Sequence, residues 1–336
     1  MIKKMMSFLL CLTLLTGCQS ATLEEHTLSF TAMNTYMSIR IYGGSDDLLQ
    51  EIKEKVEEID ATVSVTNSDS EIYQLNHHHQ AQVTDHTWNI LSQALPLCQD
   101  TDGALDLSIY PVVKAWGFTT KKYRVPSSKE IKNLLQHVDY RAVKLANQQV
   151  TLKKDMAIDL GSVTKGYTTQ LIIDELKAHH IKSAIVDFGG NVHTLGHKTD
   201  GSQWTIGVKA PETGEAAATI TINDLAVITS GGYERYFEEN GHIYCHIIDP
   251  HTGYPVENGV SSVTIIGDNG LRCDALSTAL FVKGKDKAIA YYQSHHDFDM
   301  IIMTNDHKIY VTPDFSHVIK ILDPAYTLEV ISDVQD

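Results

Sequence analysis

An acidic and a hydroxyl-bearing residue are spaced so that they could hold a divalent cation. Asp274 and Thr278 stand four residues apart at the start of an apolar helical pattern, and residues at i and i+4 share one face of a helix. Oxygen ligands without His or Cys are those that hard cations such as Mg²⁺ prefer. The same spacing also fits an Asp that caps the helix and a buried Thr that bonds back to it, so spacing alone leaves both interpretations open.

A glycine-containing segment from Asp159 to Tyr167 is typical of an anion-binding turn. It is predicted to join a strand to a helix, where Lys165 and free backbone N–H groups would come together. The glycine spacing is not that of a Walker A loop. An ordinary capped strand-to-helix junction is the simpler alternative, and the segment by itself favours that alternative.

A histidine precedes the turn in the segment His246–Gly253. A strand predicted over 243–248 places His246 and Ile248 on one face. An imidazole with an unperturbed pKa of about 6.5 can act as a general base at neutral pH. A single histidine beside a turn is more often structural, so this role needs independent support. The three adjacent histidines at 77–79 are more typical of a solvated loop than of a metal site.

The first twenty residues have the pattern of an export signal. Two lysines precede an apolar run over 5–15 that is too short to span a bilayer comfortably. The run ends in Leu15-Thr16-Gly17-Cys18, which resembles a bacterial lipobox, where the cysteine is lipidated; a plain secretory signal is the alternative. We predict a signal peptide over 1–17, a lipid-anchored linker over 18–26 and a folded domain over 27–336, exported and anchored at the extracytoplasmic face of a bacterial membrane.

The composition restricts the class of protein. The 336 residues include 42 acidic and 27 basic side chains, a formal net charge of −15. No basic excess exists to neutralise phosphates, which excludes a nucleic-acid binder that relies on such contacts. Three cysteines remain after the signal and the lipidated residue are removed: Cys98, Cys245 and Cys273. They allow at most one disulfide and contain no CxxC pair.

Helix-period and strand-period segments alternate along the chain and predict one α+β domain, of one or two lobes, with mixed or antiparallel sheets flanked by helices. A helix capped by Asp46 or Asp47 is expected first, and Ser127 begins a capping box ahead of another. Hairpins are expected at 147–148 and 240–241. The remaining predicted helices cover 88–98, 163–177, 273–282 and 286–294. The predicted strands cover 28–42, 157–160, 183–188, 204–208, 218–222, 226–229, 243–248, 260–266, 300–303 and 308–312.

Taken together and in this order, the polar segments resemble the ApbE family, the FAD:protein FMN transferases, which implies a T-fold-like domain. The resemblance covers about residues 30–284. It rests on seven segments: Thr31–Thr35, Gly103–Asp106 with Trp116–Phe118, Asp159–Tyr167, Phe188–Asn191, Thr229–Phe237, His246–Gly253 and Asp274–Thr278. No single segment is decisive, but seven in sequence order are highly specific.

The resemblance implies that the enzyme uses Mg²⁺ to transfer the FMN part of FAD to a Thr or Ser hydroxyl of an acceptor protein, such as a membrane redox-complex subunit, and releases AMP. It places the metal between the Ser162 carbonyl, Asp274 and Thr278, and gives His246 and Asp274 catalytic roles. The positions that match flavin-nucleotide contacts are Met33, Asn34, Ala104, Leu105, Asp106, Asp159, Lys165 and Ile248. Two alternatives remain open: hydrolysis of FAD to FMN and AMP, and a flavin-binding lipoprotein without transferase activity.

The chain departs from the family pattern at two positions. The first motif commonly reads Met-Gly-Thr, whereas Asn34 replaces the glycine here. Because Asn tolerates positive φ better than most residues, we expect the backbone of this turn to be preserved. Gly232 stands where the family often has an acidic residue, so no role is assigned to that position.

Overall fold

The computed structural model describes residues 23–332, and the predicted signal peptide and Cys18 lie outside them. No helix within this range is long and apolar enough to cross a membrane. The helices are α1 (Asp46–Val63), α2 (Glu71–His78), α3 (Asp85–Asp100), α4 (Tyr110–Trp116), α5 (Ser128–Leu134), α6 (Thr164–Ala178), α7 (Gly270–Lys283) and α8 (Lys285–His295). The strands are β1 (Glu25–Ala32), β2 (Thr35–Tyr42), β3 (Gln80–Gln82), β4 (Lys144–Ala146), β5 (Gln149–Thr151), β6 (Ala184–Phe188), β7 (Asn191–Leu195), β8 (Trp204–Lys209), β9 (Ala216–Ile222), β10 (Ala226–Gly231), β11 (Tyr236–Glu239), β12 (His242–Cys245), β13 (Val260–Gly267), β14 (Asp299–Thr304), β15 (Lys308–Val311), β16 (Ile319–Ile321) and β17 (Thr327–Val330).

A nine-stranded sheet forms the centre of the molecule, in the order β1-β2-β6-β7-β10-β13-β14-β15-β17. Its strand pairs are antiparallel except β15 with β17, which run parallel. The prediction of an α+β domain with mixed or antiparallel sheets is confirmed.

The alternation of side chains along the sheet separates two apolar layers. On β10, Ala226 and Ile228 pack with α7 and α8, while Val227 between them packs against β8 and β9. Successive side chains of a strand point to opposite faces, so both faces of this sheet are covered. Helices α1 and α6 pack on the same sheet over β2 and β6, and the small sheet β16-β9-β8 covers the other face.

Two smaller units flank the central sheet. The sheet β3-β5-β4 packs with α3 in one apolar cluster. The hairpin β11–β12 packs with α4 and α5 in another, around the fully buried ring of Trp116. His246 directly follows β12, the second strand of this hairpin.

Local sequence signals set most element ends. Ser127 caps α5 by accepting from the Glu130 N–H, as its capping-box pattern predicts. The hairpins at Asn147–Gln148 and Asn240–Gly241 are confirmed, and all four residues have positive φ. The cap of α1 is Ser45, however, and not Asp46 or Asp47, because its hydroxyl accepts from the Leu48 N–H.

Three strand predictions are wrong. The single strand over 28–42 is a hairpin of β1 and β2, whose two-residue turn Met33–Asn34 has φ values of 50° and 59°. The conformation expected for Asn34 is thereby confirmed. Residues 157–160 form no strand, because their backbone groups bond to other segments: the Ile158 N–H donates to Asn76 and the Asp159 N–H to the Leu107 carbonyl. The strand over 243–248 ends at Cys245, before the histidine.

Helices α2 and α4 and the strands β3, β7, β16 and β17 were not predicted. Most of them are short and bury few side chains. Strand β7 is buried along its whole length and so lacks the alternation of a half-buried strand. The three cysteines considered for a disulfide, Cys98, Cys245 and Cys273, are free and buried.

Candidate active site

The first half of the candidate site lies where the N-terminal end of α6 contacts α7. Asp274, one turn inside α7, accepts a hydrogen bond from the Gly166 N–H of α6 at 2.8 Å. A Cβ on Gly166 would lie 2.1 Å from the Gly270 carbonyl oxygen. Only glycine permits this approach, so the helix contact and the position of the carboxylate depend on the same residue.

The Asp274 carboxylate is buried, and one of its oxygens accepts the hydrogen bond from Gly166. It is 3% exposed, and burial raises its pKa, while Lys165, the Gly166 N–H and Asn191 oppose that shift. The cap of α7 is Asn269, not Asp274, which removes the capping alternative. Thr278 lies 3.1 Å from the Ser230 hydroxyl at the end of β10.

The hydroxyl that bonds back to a carbonyl of its own helix belongs to Ser277, the neighbour of Thr278. The Ser277 hydroxyl donates to the Asp274 carbonyl at 2.8 Å and also lies 2.8 Å from Ser230. Thr278 and Asp274 therefore remain side by side on one face of α7, as their spacing predicts.

Some backbone N–H groups of the turn before α6 and of its first residues already donate to carboxylates within the protein. The Gly161 N–H donates to the Asp159 carboxylate at 2.8 Å, and the Gly166 N–H is taken by Asp274. Lys165 and Ser162 are half-buried between them. Anion binding at this helix start would thus depend on Lys165 more than on a full set of backbone donors.

Asp106 lies beside this turn as a fully bonded buried carboxylate. It accepts from the Ser108 N–H at 2.8 Å, the Ser108 hydroxyl at 2.6 Å and the Tyr140 N–H at 3.1 Å. Burial raises its pKa, and these donors counteract the shift. The next residue, Leu107, accepts from the Asp159 N–H, so Asp106 fixes the segment on which Asp159 rests. The side chains of Ala104 and Leu105 are buried in the apolar core.

The second half of the candidate site contains His246, which follows β12 in irregular structure. Its backbone N–H donates to the Arg235 carbonyl at 2.9 Å, and its Nδ1 lies 3.1 Å from the same oxygen. Because a carbonyl only accepts, Nδ1 carries the hydrogen and Nε2 keeps a free lone pair. Burial, followed by the charges of Arg235 and Lys165, lowers the pKa of His246 to about 3, so the ring is neutral at neutral pH.

The turn after His246 is held by contacts to distant segments. The Asp249 backbone carbonyl accepts from the Gly253 N–H at 2.8 Å, and the Trp116 indole N–H donates to the Gly253 carbonyl at 2.9 Å. Ile248 is buried against the Trp116 cluster. These contacts fix the turn from both sides.

Met33 and Asn34 form the two-residue turn between β1 and β2. The Met33 N–H donates to Asp60 at 2.8 Å, whereas Asn34 is exposed. A Cβ on Gly189 would lie 2.1 Å from the Thr35 hydroxyl, so the β6–β7 turn packs directly on the β1–β2 turn. The β6–β7 turn leads into Asn191, whose buried side chain favours the charged form of Asp274.

A cleft of about 350 Å³ opens near Asp159, within the size range of small-molecule sites. Tyr110 lines this cleft, and its burial together with the nearby Asp159 charge raises its pKa to about 12. His77 and His79 line this cleft, and among the residues described here no three His, Cys, Asp or Glu side chains are arranged to hold a metal. Two tyrosines also line it: Tyr73, whose ring stacks on His77 with centroids 3.9 Å apart, and Tyr110.

Sequence reasoning missed Arg235, whose carbonyl contacts His246. Arg235 stands within the Thr229–Phe237 segment, but a charged residue between exposed neighbours gave no signal. The roles assigned to Met33, Asn34, Ala104, Leu105, Asp106, Asp159, Ser162, Lys165, His246, Ile248, Asp274 and Thr278 stay predictions.

Comparison with known proteins shows which family the chain belongs to. The model of the ApbE family matches residues 33–302. A Vibrio cholerae FAD:protein FMN transferase is 31% identical over 323 residues, which cover 90% of this chain and 95% of the relative. A Klebsiella pneumoniae protein of the same name is 30% identical over 292 residues, 84% of this chain and 90% of its own.

Solved structures agree with these relatives. The ApbE protein of Thermotoga maritima superimposes with a TM-score of 0.82 at 32% identity, over 88% of this chain and 99% of its own. The apo flavinyl transferase ApbE of Pseudomonas stutzeri gives a TM-score of 0.80 at 27% identity, over 88% and 97%. The match spans both halves of the candidate site, and the chain belongs to the ApbE family.

Proposed function

We propose that this protein is an FAD:protein FMN transferase, as its relatives are named. The observation that carries the proposal is the pairing of a neutral histidine, with a free Nε2, and a buried carboxylate on either side of Lys165, whose charge acts on both. A reaction between a hydroxyl and a pyrophosphate needs a base for the proton and positive charge for the phosphates.

The chain's own residues have distinct tasks in this reaction. His246 Nε2 accepts the proton of the acceptor Thr or Ser hydroxyl while that oxygen attacks the phosphorus of the FMN part. The bond from this phosphorus to the bridging oxygen breaks, and AMP leaves with the electron pair. Lys165 and Arg235 counter the phosphate charge, and negative phosphates near His246 favour its protonated form.

The residues present fit a magnesium ion. Asp274 supplies one buried carboxylate and Thr278 a neighbouring hydroxyl, and Ser162 would add its carbonyl. Mg²⁺ characteristically takes one or two carboxylates and completes its shell with substrate phosphates and water. When bound, the ion would neutralise pyrophosphate charge. The overall charge of −15 makes such a local positive centre necessary for an anionic substrate.

The test is incubation of the protein with FAD, Mg²⁺ and a peptide that carries a Thr three residues after an Asp. We expect FMN covalently attached to the peptide by mass spectrometry, with one AMP released for each adduct. Free FMN and AMP without adduct would establish FAD hydrolysis instead. FAD binding without any AMP release would identify a flavin-binding protein without transferase activity.

Export and lipid anchoring at Cys18 form part of the same proposal. Only residues 19–24 separate Cys18 from the first strand, which limits the distance between anchor and domain to about 25 Å. The enzyme would therefore act on acceptors close to the membrane, such as a redox-complex subunit. Metabolic labelling with a radioactive fatty acid should mark the wild-type protein and leave the Cys18→Ser variant unlabelled; equal labelling would contradict the anchor.

A further inference from the structure

A basic segment lies beside the candidate base of this acidic protein. Residues 114–132 contain six basic residues and one acidic residue, a formal charge of +5, within a chain whose net charge is −15. Its central part, residues 120–125, is irregular and exposed. A local concentration of positive charge on an acidic protein is a recognition signal for a negatively charged partner.

A chain of ring contacts connects this segment to His246. The Phe118 ring lies 6.4 Å from the His246 ring and 5.7 Å from the Tyr123 ring. Tyr123 in turn stacks on Phe237 with centroids 5.2 Å apart and is still 43% exposed. The segment thus presents a fixed aromatic ring two contacts away from the atom that would receive the acceptor proton.

The backbone of the segment is held in place. Gly117 has φ of 87°, and a Cβ there would lie 2.1 Å from the Lys122 carbonyl oxygen. The Arg124 N–H donates to the Trp116 carbonyl at 3.3 Å, and the Arg124 guanidinium is paired with Glu130 at 2.8 Å. Lys121 and Lys122, by contrast, are exposed and make no ion pair within residues 23–332.

We infer that residues 120–125 dock the acceptor polypeptide, with Lys121 and Lys122 contacting acidic side chains near the modified hydroxyl and Tyr123 packing on an apolar one. The inference rests on the proposed function and names the partner as an acidic segment of a second protein. Fixed, exposed aromatic rings surrounded by charge are the anchors that protein interfaces use. The net negative charge elsewhere on the enzyme would repel such a partner from other faces and favour this one.

The experiment measures binding separately from transfer. Two fluorescein-labelled peptides share one Thr, a leucine and equal length; one carries four Asp residues and the other four Asn residues. Fluorescence polarisation gives their Kd for the wild type, for the Lys121→Glu/Lys122→Glu variant and for a Lys287→Glu/Lys320→Glu control. The control changes the net charge equally, at exposed positions on α8 and β16.

We expect the Lys121→Glu/Lys122→Glu variant to bind the acidic peptide about tenfold more weakly and the neutral peptide unchanged, with the control like the wild type. Tyr123→Ala should weaken the binding of both peptides severalfold, whereas Tyr123→Phe should bind them like the wild type.

Two results would overturn the docking site directly: equal wild-type affinity for the two peptides, or equal weakening of binding by the control pair. A third is a change in the affinity for FAD with no change in the affinity for the peptides, which would assign the segment to steering FAD. A wild type that binds the acidic peptide selectively but attaches no FMN to it would leave the docking site standing and refute transfer to that acceptor.

Discussion

The two halves of the candidate site are built in opposite ways. At the α6–α7 contact, Asp274 is 3% exposed and is fixed by a helix approach that only Gly166 allows. Around His246, the chain is irregular, the ring is half-buried, and neighbouring Tyr123 is 43% exposed. A buried, rigid half suits the binding of a charged small molecule, and an open half suits the entry of a second macromolecule. Under the proposed function, this difference predicts substrate binding in one half and acceptor access in the other.

The largest expected effect comes from the buried half. Asp274→Asn keeps the shape but removes the negative charge, so turnover with FAD should fall by about a thousandfold or more, for transfer and hydrolysis alike. AMP release measured by chromatography over a range of Mg²⁺ concentrations checks this. Chelation of divalent cations should abolish wild-type turnover to the same extent. Unchanged turnover in Asp274→Asn would refute the metal assignment.

The open half should affect transfer selectively. His246→Gln removes the proton acceptor but leaves the buried half intact, so transfer to a peptide should slow by about a hundredfold or more while the Kd for FAD stays within twofold. Stopped assays with mass detection and flavin fluorescence titration separate the two. His251→Gln is the matched control, because His251 is exposed in the same turn. Equal loss of FAD affinity would contradict the division between the halves.

Backbone substitutions should distinguish the two halves in stability. Gly166→Ala forces a Cβ to within 2.1 Å of the Gly270 oxygen, and separating the helices should cost about 3 kcal/mol of unfolding free energy. Gly241→Ala in the β11–β12 turn meets no atom within 4 Å and should cost about 1 kcal/mol, from its positive φ alone. Urea unfolding measures both, and similar costs would argue against a tighter buried half.

A pH effect on stability should arise from a buried histidine of the central sheet. Burial is the main cause that lowers the pKa of His193 on β7 to about 4. In the unfolded chain the pKa of a histidine is about 6.5. Its neutral form therefore stabilises the fold above pH 6.5, and this contribution is lost as the pH falls towards 4. Between pH 7.5 and 5 the wild type should lose about 2 kcal/mol relative to His193→Leu. Urea titrations at both pH values test this, with exposed His251→Leu as the control that should follow the wild type.

Local signals predicted most elements because they act within a few residues. The apolar stripe of α1, the Ser127 cap and the Asn240–Gly241 turn depend on side chains and φ preferences of neighbouring residues. The strand over 157–160 failed because its apolar residues fill a core, and burial of a short apolar run does not require sheet bonds. Helix α2 was missed because a segment of eight residues is too short to show a clear helical period.

The candidate site was predicted unevenly for the same reason. The face shared by Asp274 and Thr278 follows from helical period, and the positive φ of Asn34 follows from the side chain. The interpretation of 243–248 as a strand placed His246 wrongly, since β12 ends one residue earlier. The free Nε2 of His246 depends on a carbonyl eleven residues away on another segment, which no local pattern specifies.

The sequence by itself determined the chemical groups, their order along the chain and the family they resemble. Only the tertiary structure decided which groups meet: Gly166 lies 108 residues from the Asp274 that it bonds, and Trp116 lies 137 residues from the Gly253 that it holds. The physical reason is that spacing along one helix or turn is fixed by backbone geometry, whereas contacts between elements arise from packing of whole surfaces. Glycines at those contacts set how closely the surfaces approach, and that approach is visible only after the chain has folded.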